Sequence, residues 1–287
     1  MAKVKISAVV NTRNEEDNIR YCLESVKWCD EIVVVDMESS DRTLAIAREY
    51  TGLVFTHPQL LAFDAARRFA VEKASGDWVL IIDADELVPR SLSEKLLEIA
   101  GDDAADIVAM PFKTYMLGAW IRHTGWWPEY HTRFFKRKSM RLVRDVHAFL
   151  QEDTSARKMT LAPEERFAVE HFAYRDSAHF VEKLNRYTTI EAVQAFEKGK
   201  PFSLFRMFCA GFRGFQVRYL SERGFRDGWR GLFLSIMMAF YRMLVYVKLR
   251  ELYERRQGGF LEYERVKQAI IDEYRKAEPT AHATDSE

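Results

Sequence analysis

The sequence predicts an α/β protein built on a doubly wound, mostly parallel sheet, with a helical extension behind it. Three observations predict this. Short segments at residues 4–12, 31–36 and 77–83 are rich in Val and Ile and apolar on both faces, as strands covered on both sides must be. Helical patterns lie between them. Beyond residue 112 the alternation stops, aromatic and basic residues take over, and from residue 177 the pattern is helical.

In chain order, "VKISAVVNT" is the first strand. It ends in the polar turn "NTRNEE" and leads into a helical pattern over residues 15–28. "EIVVVD" is the second strand, with Asp36 as the first polar residue at its end. Ser40 or Asp41 can cap the helix over 41–50. A third helix, residues 58–74, runs into "GDWVLIIDADE", where the apolar run Val79–Ile82 stops at three carboxylates in four positions. A helix over 91–100 and the strand "DIVAMPF" follow. Residues 113–175 hold short strand-like runs such as "TRFFKR". Helices are expected over 177–198, 202–220, 229–256 and 260–277. The tail, 279–287, is expected to be disordered.

The chain has 287 residues, enough for one large core or a domain with an appendage. Its formal net charge is zero, which excludes a general polyanion or nucleic-acid binder. The charge is uneven, however. Residues 1–100 hold 12 Lys/Arg against 18 Asp/Glu, residues 111–147 hold 8 against 2, and residues 200–256 hold 12 against 4, so the later part suits anionic partners. The three cysteines, Cys22, Cys29 and Cys209, have no metal-site spacing and read as reduced thiols of a cytoplasmic protein. The amino terminus reads as a strand rather than a signal peptide. The longest apolar run near the carboxyl end, Gly231–Tyr241, is 11 residues and stops at Arg242, so no spanning helix is expected.

Asp83 and Asp85 carry the first chemical signal. In an extended chain residues i and i+2 share a side, and ligands of open α/β sheets bind at the carboxyl ends of strands. Two carboxylates there repel unless a cation or a network of donors lies between them. A hard divalent ion, Mg²⁺ or Mn²⁺, suits oxygen ligands and can bridge to phosphates. The plain alternative is a solvated loop in which Asp85 or Glu86 caps the next helix. The polar ends of the first two strands would open into the same crevice, and Arg67 or Arg68 on the helix before the acidic strand could meet a base edge or a diphosphate.

Together "VVNTRNEEDNI", "IVVVDMESSDRT" and "AARRFAVEKASGDWVLIIDADE" resemble the family 2 glycosyltransferases of the GT-A fold. The stretches "LGAWIRHTGWWPEYHTRFFKR" and "HFAYRDSAHFVEKLNRYT" resemble the branch of lipopolysaccharide-core β-glucosyltransferases. The resemblance implies a metal-dependent, inverting transfer of a hexose, with glucose the best guess, from a UDP-sugar to a glycolipid or cell-envelope saccharide. It implies a base pocket at Thr12, Glu15 and Asp36, with Arg67 on base or diphosphate. Asp83 would reach the ribose or the metal, and Asp85 would hold the metal. Met37 stands where many members have a second acid, and Arg68 where many have Asn. A late His often joins the metal in such enzymes. His147 is the first candidate and His171 the second. Inversion needs a base on the far side of the sugar. Glu129 in "GWWPEYHTR" is the candidate, in a loop whose Trp126, Trp127 and Tyr130 can stack on sugars, with Asp145 as a lesser one. The division expected is a catalytic domain over 1–175 (nucleotide-binding half 1–112, acceptor half 113–175) and a helical extension over 176–278.

In Phe202–Tyr219, residues Phe205, Phe208, Phe212, Phe215 and Tyr219 recur at helical steps on one face, away from Arg206 and Arg213. Such a face, continued in 229–249, can lie on the inner surface of a membrane, pack on the catalytic domain, or pair with a second copy of the chain. Three other functions compete with this reading. A nucleotidyltransferase would carry a Gly-rich turn after the first strand, where this chain has "NTRNEE". A non-catalytic scaffold would have no need of Asp36, Asp83 and Asp85 together. A dehydrogenase is excluded by the lack of GxGxxG after the first strand.

Overall fold

The computed structural model describes residues 4–58, 64–145, 148–258 and 261–277. The first half alternates as expected: β1 (Ile6–Thr12), α1 (Ile19–Ser25), β2 (Glu31–Asp36), α2 (Thr43–Arg48), β3 (Val54–Thr56), α3 (Asp64–Lys73), β4 (Trp78–Asp83), β5 (Glu86–Leu87) and α4 (Arg90–Gly101). Strands dominate the next part: β6 (Ile107–Met116), β7 (Ala119–Trp120), β8 (Glu129–Lys136), β9 (Met140–Asp145), β10 (Ala148–Glu152), β11 (Lys158–Thr160) and β12 (Val169–Tyr174). Helices α5 (Ser177–Glu197), α6 (Leu204–Gln216), α7 (Gly228–Arg256) and α8 (Leu261–Ala277) complete the described chain.

The main sheet runs β3-β2-β1-β4-β8-β6-β12-β5. The first four strands are parallel, as are β6 and β12, and β8 lies antiparallel between β4 and β6. Strand alternation sends side chains to two helical layers. Ala8 and Val10 of β1, Leu80 and Ile82 of β4, and Leu92 and Leu96 of α4 build one core; Val9, Val35, Val79 and Ile81 build the other with Ala66 and Ala70 of α3. Gly76 is needed where the chain enters β4, because a Cβ there would sit 2.6 Å from Ser7 Oγ. In this order the carboxyl ends of β1 and β4 meet at the point where the sheet changes direction, the usual place for a ligand crevice.

The chain forms two compact units: residues 1–183 with 215–237, and residues 184–214 with 238–287. In the second unit, α6 buries Met207 and Gly211. Gly211 permits a close helix approach, since a Cβ would lie 2.7 Å from Met243 Cγ. The phenylalanine face points outward, with Phe205 78% and Phe212 71% exposed. Lys248 of α7 donates to Asn185 and Thr189 of α5, and Tyr241 to Glu191. Among the described residues, Gly224–Arg256 is long and apolar enough, by length and composition, to cross a membrane. The sequence alone predicts no such segment because Arg242 ends its apolar run. In the helix Arg242 lies 3.8 Å from Glu191 and Lys248 donates to Asn185, so these two charges meet partners on α5.

Candidate active site

The crevice is built by strand ends. Asn11 and Asp83 are register partners on β1 and β4, so their side chains share the α3 side of the sheet. Arg67, one face of α3, reaches the same side, with Nη2 2.5 Å from Asp83 Oδ2. Arg133 of β8 approaches that oxygen at 3.1 Å and Glu86 Oε1 at 3.3 Å. Burial by itself pushes the Asp83 carboxyl up, but the two guanidiniums outweigh it and hold the group well below the usual range. Glu86 is 1% exposed, and there burial wins and raises its pKa. Its other oxygen accepts the Asp83 N–H at 2.8 Å.

One geometric premise changes. The chain does not stay extended through "DADE"; it turns at Ala84–Asp85 and resumes as β5. Thus the i, i+2 rule does not place Asp83 and Asp85 together. Asp83 joins the arginines, whereas Asp85 faces β12 and α5. His171 Nε2 lies 3.7 Å and Lys183 Nζ 3.5 Å from Asp85 Oδ2. Burial pushes the Asp85 carboxyl up, and the contact and charge of His171, with Lys183, bring it below its ordinary value. Burial lowers the His171 imidazole, and Asp85 and Glu86 more than reverse this, so it is raised.

Asp85, Glu86 and His171 offer ligand atoms within 4.8 Å of one another. The donor set, carboxylate oxygen with one imidazole nitrogen, suits Mn²⁺ and accommodates Mg²⁺. Glu86 is already committed to Arg133 and the Asp83 amide, which leaves Asp85 and His171 as the better-placed pair. His147 lies outside the described residues, as do the side chain of Asp145 and the tail 279–287.

The remaining predicted residues sort clearly. Asp36 is fully buried and accepts the Ser39 N–H at 2.9 Å and the Ser39 hydroxyl at 2.5 Å, fixing the turn after β2. Thr12 is its register partner, on the sheet face opposite Asn11. Glu15 accepts from Asn18 Nδ2 at 2.7 Å, and burial and the charge of Asp85 raise its pKa. Among the described residues, the Asn11 amide, the Thr12 hydroxyl and Asp83 Oδ1 are buried without a hydrogen-bond partner. That is unspent polar capacity at the mouth of the β1–β4 junction, suited to a polar ligand.

Glu129 begins β8 opposite Phe112. His131 Nε2 lies 3.4 Å from its carboxylate. That contact, with the charges of His171 and Arg218, depresses the Glu129 pKa. The Phe112 ring stands edge-on between His131 and His171, at 4.6 and 6.1 Å, so Glu129 and the Asp85–His171 pair flank one aromatic wall.

The model of Glycosyl transferase family 2 matches residues 7–162. A glycosyltransferase of Rickettsia felis, itself uncharacterized, is 30% identical over 258 residues, 86% of this chain and 90% of its own. The lipopolysaccharide core biosynthesis glycosyltransferase LpsC of Rhizobium meliloti is 27% identical over 262 residues, 86% of this chain and 92% of its own. Among solved structures, S. aureus TarS 1–349 in complex with UDP-GlcNAc aligns with a TM-score of 0.44 at 17% identity, covering 89% of this chain and 92% of that one.

Proposed function

This chain belongs to glycosyl transferase family 2 and has the GT-A fold, and from that premise we propose that it transfers a hexose, with inversion, from a UDP-sugar to a lipid-linked or lipopolysaccharide-type saccharide. UDP-glucose is the donor of choice. The observation that carries the reading is the gathering of Asp83, Asp85, His171 and two arginines at the carboxyl ends of the central strands. The acceptor class is supported by the LpsC relative and by the basic character of residues 111–147 and 200–256.

On the donor side, Arg67 and Asn11 meet the nucleotide and diphosphate. Arg133 keeps Asp83 ionised for a ribose hydroxyl. Thr12, Glu15 and Asp36 shape the base pocket through the turns they fix. Asp85 and His171 would hold Mn²⁺ or Mg²⁺, which as a Lewis acid draws off the charge developing on the leaving diphosphate. On the acceptor side, Glu129 takes the proton of the attacking hydroxyl. The acceptor oxygen bonds to the sugar's anomeric carbon as the bond from that carbon to the diphosphate breaks on the opposite face. Trp126, Trp127 and Tyr130 line the approach. The exposed Phe205, Phe208 and Phe212, with Arg206 and Arg213 off that face, seat the enzyme peripherally on an anionic membrane where such an acceptor resides.

The test is UDP release from a panel of UDP-sugars with membrane extract as acceptor. Extract-dependent release with one sugar supports the reading. Calorimetry of UDP with and without Mn²⁺ separates the alternatives, since a protein that binds UDP in neither condition is a scaffold and not a transferase.

A further inference from the structure

We propose that Asp227 is the positioning residue of the acceptor loop. It ties residues 122–124 to the segment 217–230 and so holds Trp126, Trp127 and Glu129 at the donor site. The role given to the loop rests on the function proposed above; the anchor rests on geometry alone. Asp227 ends a short 3-10 turn, Gly224–Asp227, and its side chain is 6% exposed. Its two oxygens accept the N–H groups of Arg122 at 3.3 Å and His123 at 3.0 Å, and the Thr124 hydroxyl at 2.7 Å; His123 Nδ1 is also at 3.0 Å. One buried carboxylate therefore meets four polar atoms from three consecutive residues about a hundred positions away in sequence.

Neighbours on the same segment complete the clasp. Arg218 Nη1 donates to the Thr124 carbonyl at 2.7 Å, and its guanidinium lies 4.3 Å over the Trp126 ring. The Thr124 N–H donates to the Glu222 carbonyl at 2.9 Å, and Arg230 Nε to the Leu117 carbonyl at 3.0 Å. The loop needs holding. Thr124 has φ of 61°, a left-handed conformation that a β-branched residue avoids. Such a residue persists only where its surroundings over-determine it. Gly125 follows at φ 80°, and a Cβ there would sit 2.8 Å from Arg218 Nη1. Four residues later the strand bearing Glu129 begins, so the conformation of 122–125 sets where the acceptor's proton is received.

Asp227→Asn in the full chain tests this. The variant keeps size and one acceptor oxygen but loses the charge and turns an N–H₂ toward the loop's donors. Hydrogen–deuterium exchange of the Arg122–Thr124 amides is expected to quicken by about tenfold or more, the effect of roughly 1.4 kcal/mol of lost holding. Amides of β1, β2 and β4 should keep their wild-type rates. Kinetics should show kcat/KM for the acceptor reduced by about 10²-fold, the usual cost of a small misplacement, while the Kd for UDP stays within about twofold. Arg218→Met should act the same way with smaller size. Unchanged exchange at 122–124 overturns the clasp. So does a shift confined to UDP affinity with acceptor kinetics intact. If the wild-type protein transfers no sugar, the proposed activity falls, and the exchange measurement still decides the anchor.

Discussion

Arg133 offers the sharpest test of the buried charges. It is 10% exposed and shares its Nη2 between Asp83 and Glu86, at 3.1 and 3.3 Å. Arg133→Met keeps most of the stem's packing and removes the charge. Asp83 retains Arg67 at 2.5 Å, so the burden falls on Glu86, 1% exposed and left with one amide N–H from Asp83. Breaking a buried pair in this way costs about 3–5 kcal/mol. The protein has an escape, because Glu86 can take a proton. Neutralising a glutamate of ordinary pKa about 4.3 at pH 7 costs about 1.4 kcal/mol per unit, or roughly 3.7 kcal/mol in all. The loss at pH 7 is therefore capped near about 4 kcal/mol, and at pH 5 near about 1 kcal/mol. The direction follows from proton counting: in the variant the folded state binds more protons than the unfolded one, so its stability rises as pH falls. Urea unfolding of both proteins at pH 7 and pH 5 measures this. A deficit that stays constant across that range, or one below about 1 kcal/mol at pH 7, would mean that Arg133 is not what compensates Glu86.

Five other outcomes are expected. Asp85→Asn should weaken Mn²⁺ binding by at least about 10²-fold, read by calorimetry on the apo protein; wild-type affinity in the variant removes Asp85 from the metal site. Because the carboxylates beside His171 favour its protonated form, Mn²⁺ affinity should fall as pH is lowered, with protons released on binding, and His171→Gln should flatten the dependence. Glu129→Gln should lower kcat by about 10²–10⁴-fold with the UDP Kd unmoved. Since the His131 contact depresses its pKa, Glu129 stays ionised into and below the usual glutamate range, so an acid limb of wild-type activity that it causes should lie below that range. Changing Phe205 and Phe212 together to Ser should reduce co-flotation with anionic liposomes by about 10²-fold or more, from about 2 kcal/mol per buried ring; unchanged flotation, or a dimer of wild-type protein that the double variant dissolves, assigns the face to another use.

Much of the fold can be read locally because the elements of the first hundred residues obey short-range rules. Val33–Val35 and Val79–Ile82 are too apolar on both faces to be anything but central strands. The helices over 177–197, 204–216 and 228–256 begin and end within a few positions of the pattern's limits. The place of β8 is another matter. "TRFFKR" reads as a strand, yet nothing local says that it lies antiparallel between β4 and β6 and thereby delivers Arg133 to Asp83. Arg133 and Lys136 put one charge on each face of β8, and only the fold shows that both are covered and paired, with Asp83 and Glu86 on one side and Asp106 on the other.

The candidate site shows the same division between local and long-range information. Asp83 and Asp85 stand out in sequence because charge follows an apolar strand abruptly. Their partners do not: Arg67, Arg133, His171 and Lys183 come from four elements spread over about a hundred residues. The turn at Ala84–Asp85 decides which partner each acid receives. Had the strand stayed extended, both carboxylates would have faced the arginines, and a cation would have had no vacant acid to bind. By turning there, the chain gives the two guanidiniums to Asp83 and Glu86 and sends Asp85 to the imidazole of β12. Glu86 is thus not the cap of the next helix. It accepts the Asp83 N–H and anchors Arg133, and in doing so it fixes the turn that separates the acid paired with the arginines from the acid beside His171.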